Sequence, residues 1–393
     1  MSWEKTTIGE HCTVTSSKRF HLSERTNCGV PFYCSKEIIQ KVKSEEIDSC
    51  DYISEEFYKA VAQKYGVPQE NDLLVTTRGT IGVPYLYKKS DRFYFADGNL
   101  TWMKDFLNTL LPQYLYYWFL SHEGQSKIAS IAKGTAQKAV PIAGIKTLEL
   151  LLPPIETQRR IADILSTYDD LIENNRKQIK LLEETAQRLY KDWFVDLRFP
   201  GHEHTKIVNG VPEGWKRQKL IDIAQVQYGF AFDGSLFNSQ KIGTPIIRIR
   251  NIPEGQTGDY TPESADSQYL VYNGDIVVGM DGEFYINTWA GDTAYLVQRT
   301  CRIKAFNADL NGFLLWAIYE PIKYFEKTVV GATVAHLGKK HIDTIEILVP
   351  TENFYLPFKL LFEERLLLMN QNRALAEARN RLLPKLMSGE VEV

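Results

Sequence analysis

Residues 153–199 read PPIETQRRIADILSTYDDLIENNRKQIKLLEETAQRLYKDWFVDLRF, and the fold turns on how this stretch is understood. Alternating steps of four and three from Ile161 meet Leu165, Tyr168, Ile172, Asn175, Ile179, Leu182, Ala186, Leu189 and Trp193, with charged residues on both flanks. This is a heptad seam, and it predicts a coiled-coil helix. Pro153 and Pro154 suit the first turn of such a helix. At 1.5 Å per residue, roughly 38 helical residues reach about 57 Å. A rod of that length has to separate or connect something.

The text on either side of the rod is the same text twice. Gly134 matches Gly331, Ile145-Lys-Thr-Leu-Glu-Leu matches Ile342-Asp-Thr-Ile-Glu-Ile, Pro153 matches Pro350, and Asn175-Arg176 matches Asn372-Arg373, all at an offset of 197. Earlier, Asp72 of DLLVTTRG pairs with Asp275 of DIVVGMDG at 203, and Gly29 pairs with Gly243 at 214. The first copy therefore carries extra residues, mostly around 40–65. A duplicated domain-plus-helix unit is a pseudo-dimer within one chain, which suits a two-part target. The second helix is expected to be shorter, about 26 residues between Pro357 and Pro384, with Leu361, Leu368, Leu375 and Leu382 recurring every seven. Asn175 and Asn372 lie near their helix midpoints. Either they meet in an antiparallel pair and fix its register, or both face solvent.

Within each copy the elements alternate. Residues 72–87 and 92–104 read as strands bounded by Gly and charged turns, residues 112–124 and 125–134 as helical patches, and 147–154 as a strand leading into the rod. The loop after Phe199, rich in Gly, Pro and His, marks a boundary. With 44% hydrophobic and 24% charged residues the composition is that of an ordinary globular protein. No apolar run approaches a membrane span and MSWEKTTIGE lacks a signal region, so a cytoplasmic protein with no membrane partner is expected. Cys12, Cys28, Cys34, Cys50 and Cys301 form no CxxC pair. The first four, beside His11 and His21, match no structural zinc spacing, so no metal is expected.

The net charge is −3, with 18 basic against 17 acidic residues in 1–152 and 15 against 17 in 198–350. Neither domain has the basic face of a stand-alone DNA binder, so a grip on nucleic acid needs local clusters or a partner. Catalytic signatures are missing. The stretch GATVAHLGKK has the wrong spacing for a Walker loop, and there is no GxGxxG, D/N-P-P-F/Y, HExxH or GxSxG. Asp281 and Glu283 are near neighbours, yet MDG reads better as a turn than as a nuclease site. A nuclease or methyltransferase with an unusual site, or a coiled-coil scaffold without a DNA role, stays open on these grounds.

Other features narrow the choice. PPIETQRRIADILSTYDDLIENN and LYKDWF resemble the central conserved region of type I restriction–modification specificity subunits, and RNRLLPKLMSGEVEV resembles the matching region at their C-terminus. TTRGTIG, FYFADGNLTW, VVGMDGEF and AYLVQRTCRI are similar to motifs of that family's target-recognition domains. The resemblance spans nearly the whole chain, in order and twice. It departs at PTENFYLPFK (350–359), where the family's second copy usually repeats something like PPIETQRRI.

The resemblance implies a non-catalytic subunit that chooses the DNA sequence. Two methyltransferase (modification) subunits, carrying S-adenosylmethionine, would dock on the helices and methylate adenine, and restriction motor-nuclease subunits would complete the complex. No cofactor is expected on this chain; S-adenosylmethionine, ATP and Mg belong to the partners. The expected fold is α+β: two mixed α/β target-recognition domains, 1–152 and 198–350, separated by a long antiparallel two-helix coiled coil made from 153–197 and 351–393. The whole is an internal pseudo-two-fold repeat.

Readers of DNA should sit where the two copies differ between shared framework residues. Thr76, Thr77 and Arg78 face Gly279, Met280 and Asp281 between Val75/Val278 and Gly79/Gly282. Arg78 suits a guanine edge, whereas Asp281 can only accept, as from a cytosine amino group. A second variable loop offers Lys133, Gln137 and Lys138 in one copy and His336, Lys339 and Lys340 in the other. Lys18, Arg19, Arg25, Arg248, Arg250 and Asn251 complete the candidates for phosphate or base contact. For each of these, a solvated surface charge is the plainer alternative.

Overall fold

The computed structural model describes residues 3–43, 45–134, 138–328 and 335–393. By contacts the chain forms two compact units, Met1–Asp170 with Ala376–Val393, and Leu171–Leu375. Both long helices contribute to each unit.

The units repeat one topology. In the first, Glu4–Thr7 pairs antiparallel with Glu149–Leu152. One four-stranded antiparallel sheet runs in the order Thr13–Thr15, Leu100–Lys104, Leu73–Thr76, Pro84–Leu86. A smaller sheet runs Arg25–Thr26, Asp51–Ile53, Val30–Tyr33, Tyr94–Phe95, its last pair parallel. In the second unit the equivalents are Lys216–Lys219 with Glu346–Val349, a sheet of Ala224–Tyr228, Thr300–Ala305, Ile276–Gly279 and Ile286–Thr288, and a smaller sheet holding the parallel pair Thr244–Ile247 and Ala294–Leu296. Where the first copy has the helices Ser35–Lys43 and Glu55–Tyr65 around the strand Asp51–Ile53, the second has the short turns Ile249–Asn251 and Ser267–Tyr269 around the strand Tyr260–Thr261. The two helical patches expected at 112–124 and 125–134 are the helices Pro112–Leu120 and His122–Ile131, with the break at Ser121. Ser121 separates them because its hydroxyl caps the second by accepting from the Gly124 amide at 3.1 Å.

The framework shared by the copies is buried. Asp72 and Asp275 each close a turn by accepting a main-chain amide, from Gln69 at 2.8 Å and from Tyr272 at 2.9 Å. Asp72 also takes the Trp102 indole N–H at 2.8 Å. Burial pushes its carboxyl above the usual range in spite of those bonds.

The first long helix spans Ile155–Tyr190 and continues as a π-helical turn through Lys191–Val195. Its 36 α-helical residues are about 54 Å long. All ten seam positions from Ile161 to Trp193 are buried or half-buried. The partner is the second long helix, running the opposite way. In the first unit Asp169 is paired with Arg379, and Ile161 and Leu165 share a core with Leu383 and Leu386. In the second unit Asn175 meets Gln371, and Glu183 meets Arg365. Near the far end the rings of Trp193 and Phe354 lie 5.9 Å apart, edge to face.

Two expectations fail here. The second helix is not cut short by its prolines, since it runs Glu352–Ser388 through both of them. An interior proline removes one ladder bond and costs about 3 kcal/mol. Around Pro357 the neighbours Tyr355, Phe358 and Phe362 are buried, and around Pro384 so are Leu383, Leu386 and Met387. That apolar burial, at roughly 1.5–3 kcal/mol per large side chain, outweighs the loss. Nor does a hydrogen bond join the two asparagines among the described residues: the buried Asn175 donates its amide N–H to Gln371 Oε1 at 3.3 Å, one position away, and Asn372 Oδ1 is buried without a hydrogen-bond partner.

Arg365 is a buried charge committed to two acceptors. It is 7% exposed, donating to Glu183 at 2.7 Å and to Asn287 Oδ1 at 2.6 Å. Arg365→Ala strands both acceptors and should destabilise the protein by about 3 kcal/mol in urea unfolding. A loss below about 1 kcal/mol would show the contact to be dispensable.

Candidate nucleic-acid interface

Each unit brings three segments of chain to one place on the same main-chain frame. In the first, the Thr77 amide donates to Asn99 C=O at 2.8 Å, and the Val140 amide donates to Thr77 C=O at 2.9 Å. In the second, the Met280 amide donates to Arg299 C=O at 2.9 Å, and the Leu337 amide donates to Met280 C=O at 2.8 Å. The two variable loops singled out from sequence are therefore neighbours within each copy. Arg78 forms an antiparallel bridge to Ala139, and Asp281 forms the matching bridge to His336.

In the first unit Arg78 is exposed beside a tight loop in which Lys133 and Ala139 exchange main-chain bonds at 2.8 and 2.9 Å. Lys133 and Lys138 are exposed as well, so three cations share this surface, while Gln137 lies outside the described residues. Thr76, the last residue of the strand Leu73–Thr76, and Thr77 after it are both buried. The Thr76 hydroxyl accepts from the Val83 amide at 3.0 Å, so it holds the hairpin and does not face outward.

In the second unit Met280 is likewise buried in the core, because the residue between the two frame bonds points inward in both copies. Asp281 is not a free acceptor. His336 Nδ1 lies 2.5 Å from its Oδ1, and Arg299 forms an ion pair with its Oδ2. Arg299 was not among the residues singled out from sequence. The signal was present as the arginine of AYLVQRTCRI, but nothing in a linear text places residue 299 beside residue 281. Lys339 and Lys340 are exposed in the short helix Lys339–Ile342.

The remaining candidates divide by what already holds them. Lys18 and Arg19 are exposed, with the Lys18 ammonium 5.2 Å from the Tyr65 ring. Arg25 is committed to an ion pair with Asp51 and stacks 5.4 Å from the Phe32 ring. Arg248 lies 5.3 Å from the Phe237 ring. Arg250 grips Asp259 with two bonds, of 3.1 and 2.5 Å, and Asn251 donates to the same carboxylate at 3.1 Å. Burial works against ionisation of Asp259, but the bonds from Arg250 and Asn251 and the charges of Arg250 and Arg248 outweigh it and hold the carboxyl below its usual range.

Among the described residues no group of three or more His, Cys, Asp or Glu side chains could hold a metal ion. Burial pushes the Cys12 and Cys301 thiols up to about 12, which removes them as nucleophiles at neutral pH. Among the described residues no helix is long and apolar enough to cross a membrane.

Two units of one topology display different side chains on one main-chain frame. Known proteins share this arrangement. The fold matches the crystal structure of a type I restriction–modification system S subunit from M. genitalium with a TM-score of 0.57, at 16% identity, over 98% of this chain and 96% of that one. The type I restriction modification DNA specificity domain matches the sequence twice, at residues 1–184 and 212–353. The chain is 26% identical over 344 residues to the type I restriction enzyme MjaIX specificity subunit of Methanocaldococcus jannaschii, covering 82% of this chain and 78% of that protein. It is 34% identical over 148 residues to the EcoBI specificity subunit of Escherichia coli, covering 36% and 31%. The chain belongs to the type I restriction–modification DNA specificity family, a non-catalytic component of such systems.

The Arg250–Asp259 pair has a definite pH signature. A carboxylate depressed in the folded state stabilises the protein above its unfolded pKa, and that contribution is lost as pH falls through the folded value. Arg250→Ala should therefore lower the urea midpoint at pH 7, and its gap to the parent should close below about pH 4. A gap of constant size across that range would assign the effect to packing instead.

Proposed function

We propose that this chain selects the DNA sequence for a type I restriction–modification complex, each unit reading one half of an asymmetric bipartite site. The observation that carries this reading is the shared frame with unlike side chains: Arg78, Lys133 and Lys138 in one unit, Asp281, Arg299 and His336 in the other. Base edges are read by such side chains in the groove, while the exposed lysines suit phosphate contacts. A net charge of −3 leaves too little attraction for the chain to hold DNA alone, which supports a complex.

The paired helices set the gap between half-sites and dock two methyltransferase subunits. Leu171, Leu181, Leu356, Leu360 and Leu367 are exposed on their outer faces, and apolar side chains on a solvent face fit a partner. S-adenosylmethionine resides on those subunits, and ATP and Mg on the motor-nuclease subunits that join them.

Mapping methylated bases across a genome that carries this system should reveal a motif with two unlike halves; identical inverted halves would sink the reading. Arg78→Ala should cost roughly 1–3 kcal/mol at one half only. Lengthening both helices by two matched turns should change the gap and leave both half-sequences as they were. A change in the half-sequences would show that the helices are not the ruler.

A further inference from the structure

Both units place a hydrogen-bonded turn before the frame strand, the first with one more residue between the turn's start and that strand. In the first, Asn99 N–H closes the turn on Ala96 C=O at 3.3 Å, and the third residue, Gly98, has φ 73°. In the second, Thr300 N–H closes on Val297 C=O at 3.2 Å, and the third residue is Arg299, with φ 68°. Glycine is the ordinary occupant of such left-handed backbone. Arginine there is strained, and it lacks the short polar side chain by which asparagine or aspartate eases the conformation. Strain of this kind persists where the surroundings enforce it, often at a site of function.

The surroundings do enforce it. Asp281 Oδ2 receives Arg299 Nη1, while Oδ1 is held by His336, so both carboxylate oxygens are engaged. The Asp281 side chain is 22% exposed, whereas that of Arg299 is 58% exposed. Among the described residues the guanidinium has no other hydrogen-bond partner. One corner of the fork is anchored and the rest faces outward, on the same frame that presents Arg78 in the first unit. An anchored guanidinium keeps the planar geometry for a bidentate contact and has less freedom to lose on binding.

We propose that Arg299 reads a guanine in the second half-site, with Asp281 and His336 as positioning residues that aim it. This rests on the DNA-reading function proposed above. Arginine reaches guanine O6 and N7 together in the major groove. The cytosine-accepting role suggested for Asp281 by sequence gives way, since its oxygens already face Arg299 and His336.

The test uses the full chain, expressed with its methyltransferase subunits, and reads both the methylation motif and the unfolding midpoint. R299G places the ordinary occupant at a left-handed position and should leave the midpoint at or above that of the parent. Discrimination at one guanine of the second half should fall roughly 10- to 100-fold, with the first half unchanged. R299A should lose that discrimination at the one guanine, and an R299A variant that weakens binding equally for all sequences would overturn base reading in favour of a phosphate contact. D281N should relax the same position by a smaller factor. A second half made of A·T pairs alone, or an R299G motif identical to the parent's, overturns this inference while leaving the function intact. A parent complex without sequence preference would instead overturn the function itself.

Discussion

A ten-position apolar seam can be buried only by another helix, and the direction of that helix decides the rest. As the first long helix advances from Asp169 to Asn175 to Glu183, its partner retreats from Arg379 to Gln371 to Arg365. Antiparallel pairing puts the start of one helix beside the end of the other. For that reason the first unit is completed by the last residues of the chain, with Leu383, Leu386 and Met387 in its core. Within the second unit the second long helix is also packed closely against the helix Asn311–Ala317: a methyl group on Gly312 would lie 2.3 Å from the Phe358 carbonyl oxygen. Helix direction and domain completeness are one constraint.

Much of this was legible in the text. The seam was readable because a buried stripe on a helix leaves a period of seven, and that period is sustained over ten positions. The duplication was readable because equal offsets over many residues leave little to chance. Both prolines misled, since local propensity is a term of about 3 kcal/mol that well-packed apolar neighbours can overrule. The asparagine pairing misled for a different reason. A repeat offset fixes which residues are equivalent, not which side-chain amide a given Asn reaches across the helix pair.

The recognition surface was half legible. The rule that frame residues agree while displayed residues differ located the two loops, and the fold brings them together. It did not say which way each side chain points, so Thr76, Thr77 and Met280 were grouped with Arg78 and Asp281 although the first three are buried. Strand alternation carries that information, but turns interrupt it. Arg299 escaped because its distance from Asp281 in sequence is bridged by a strand pairing, Gly279 opposite Thr300, that no local pattern announces.

The frame itself is made of amide N–H and carbonyl groups alone, at Thr77, Asn99 and Val140 and at Met280, Arg299 and Leu337. Main-chain bonds do not depend on which residue carries them. Substitutions at the displayed positions can therefore accumulate over generations without threatening the fold, and each arrives as a finished alternative with nothing to repair. A lineage under pressure to alter what it recognises needs only point changes at these positions. The two copies, once identical by descent, record how far such drift has already gone.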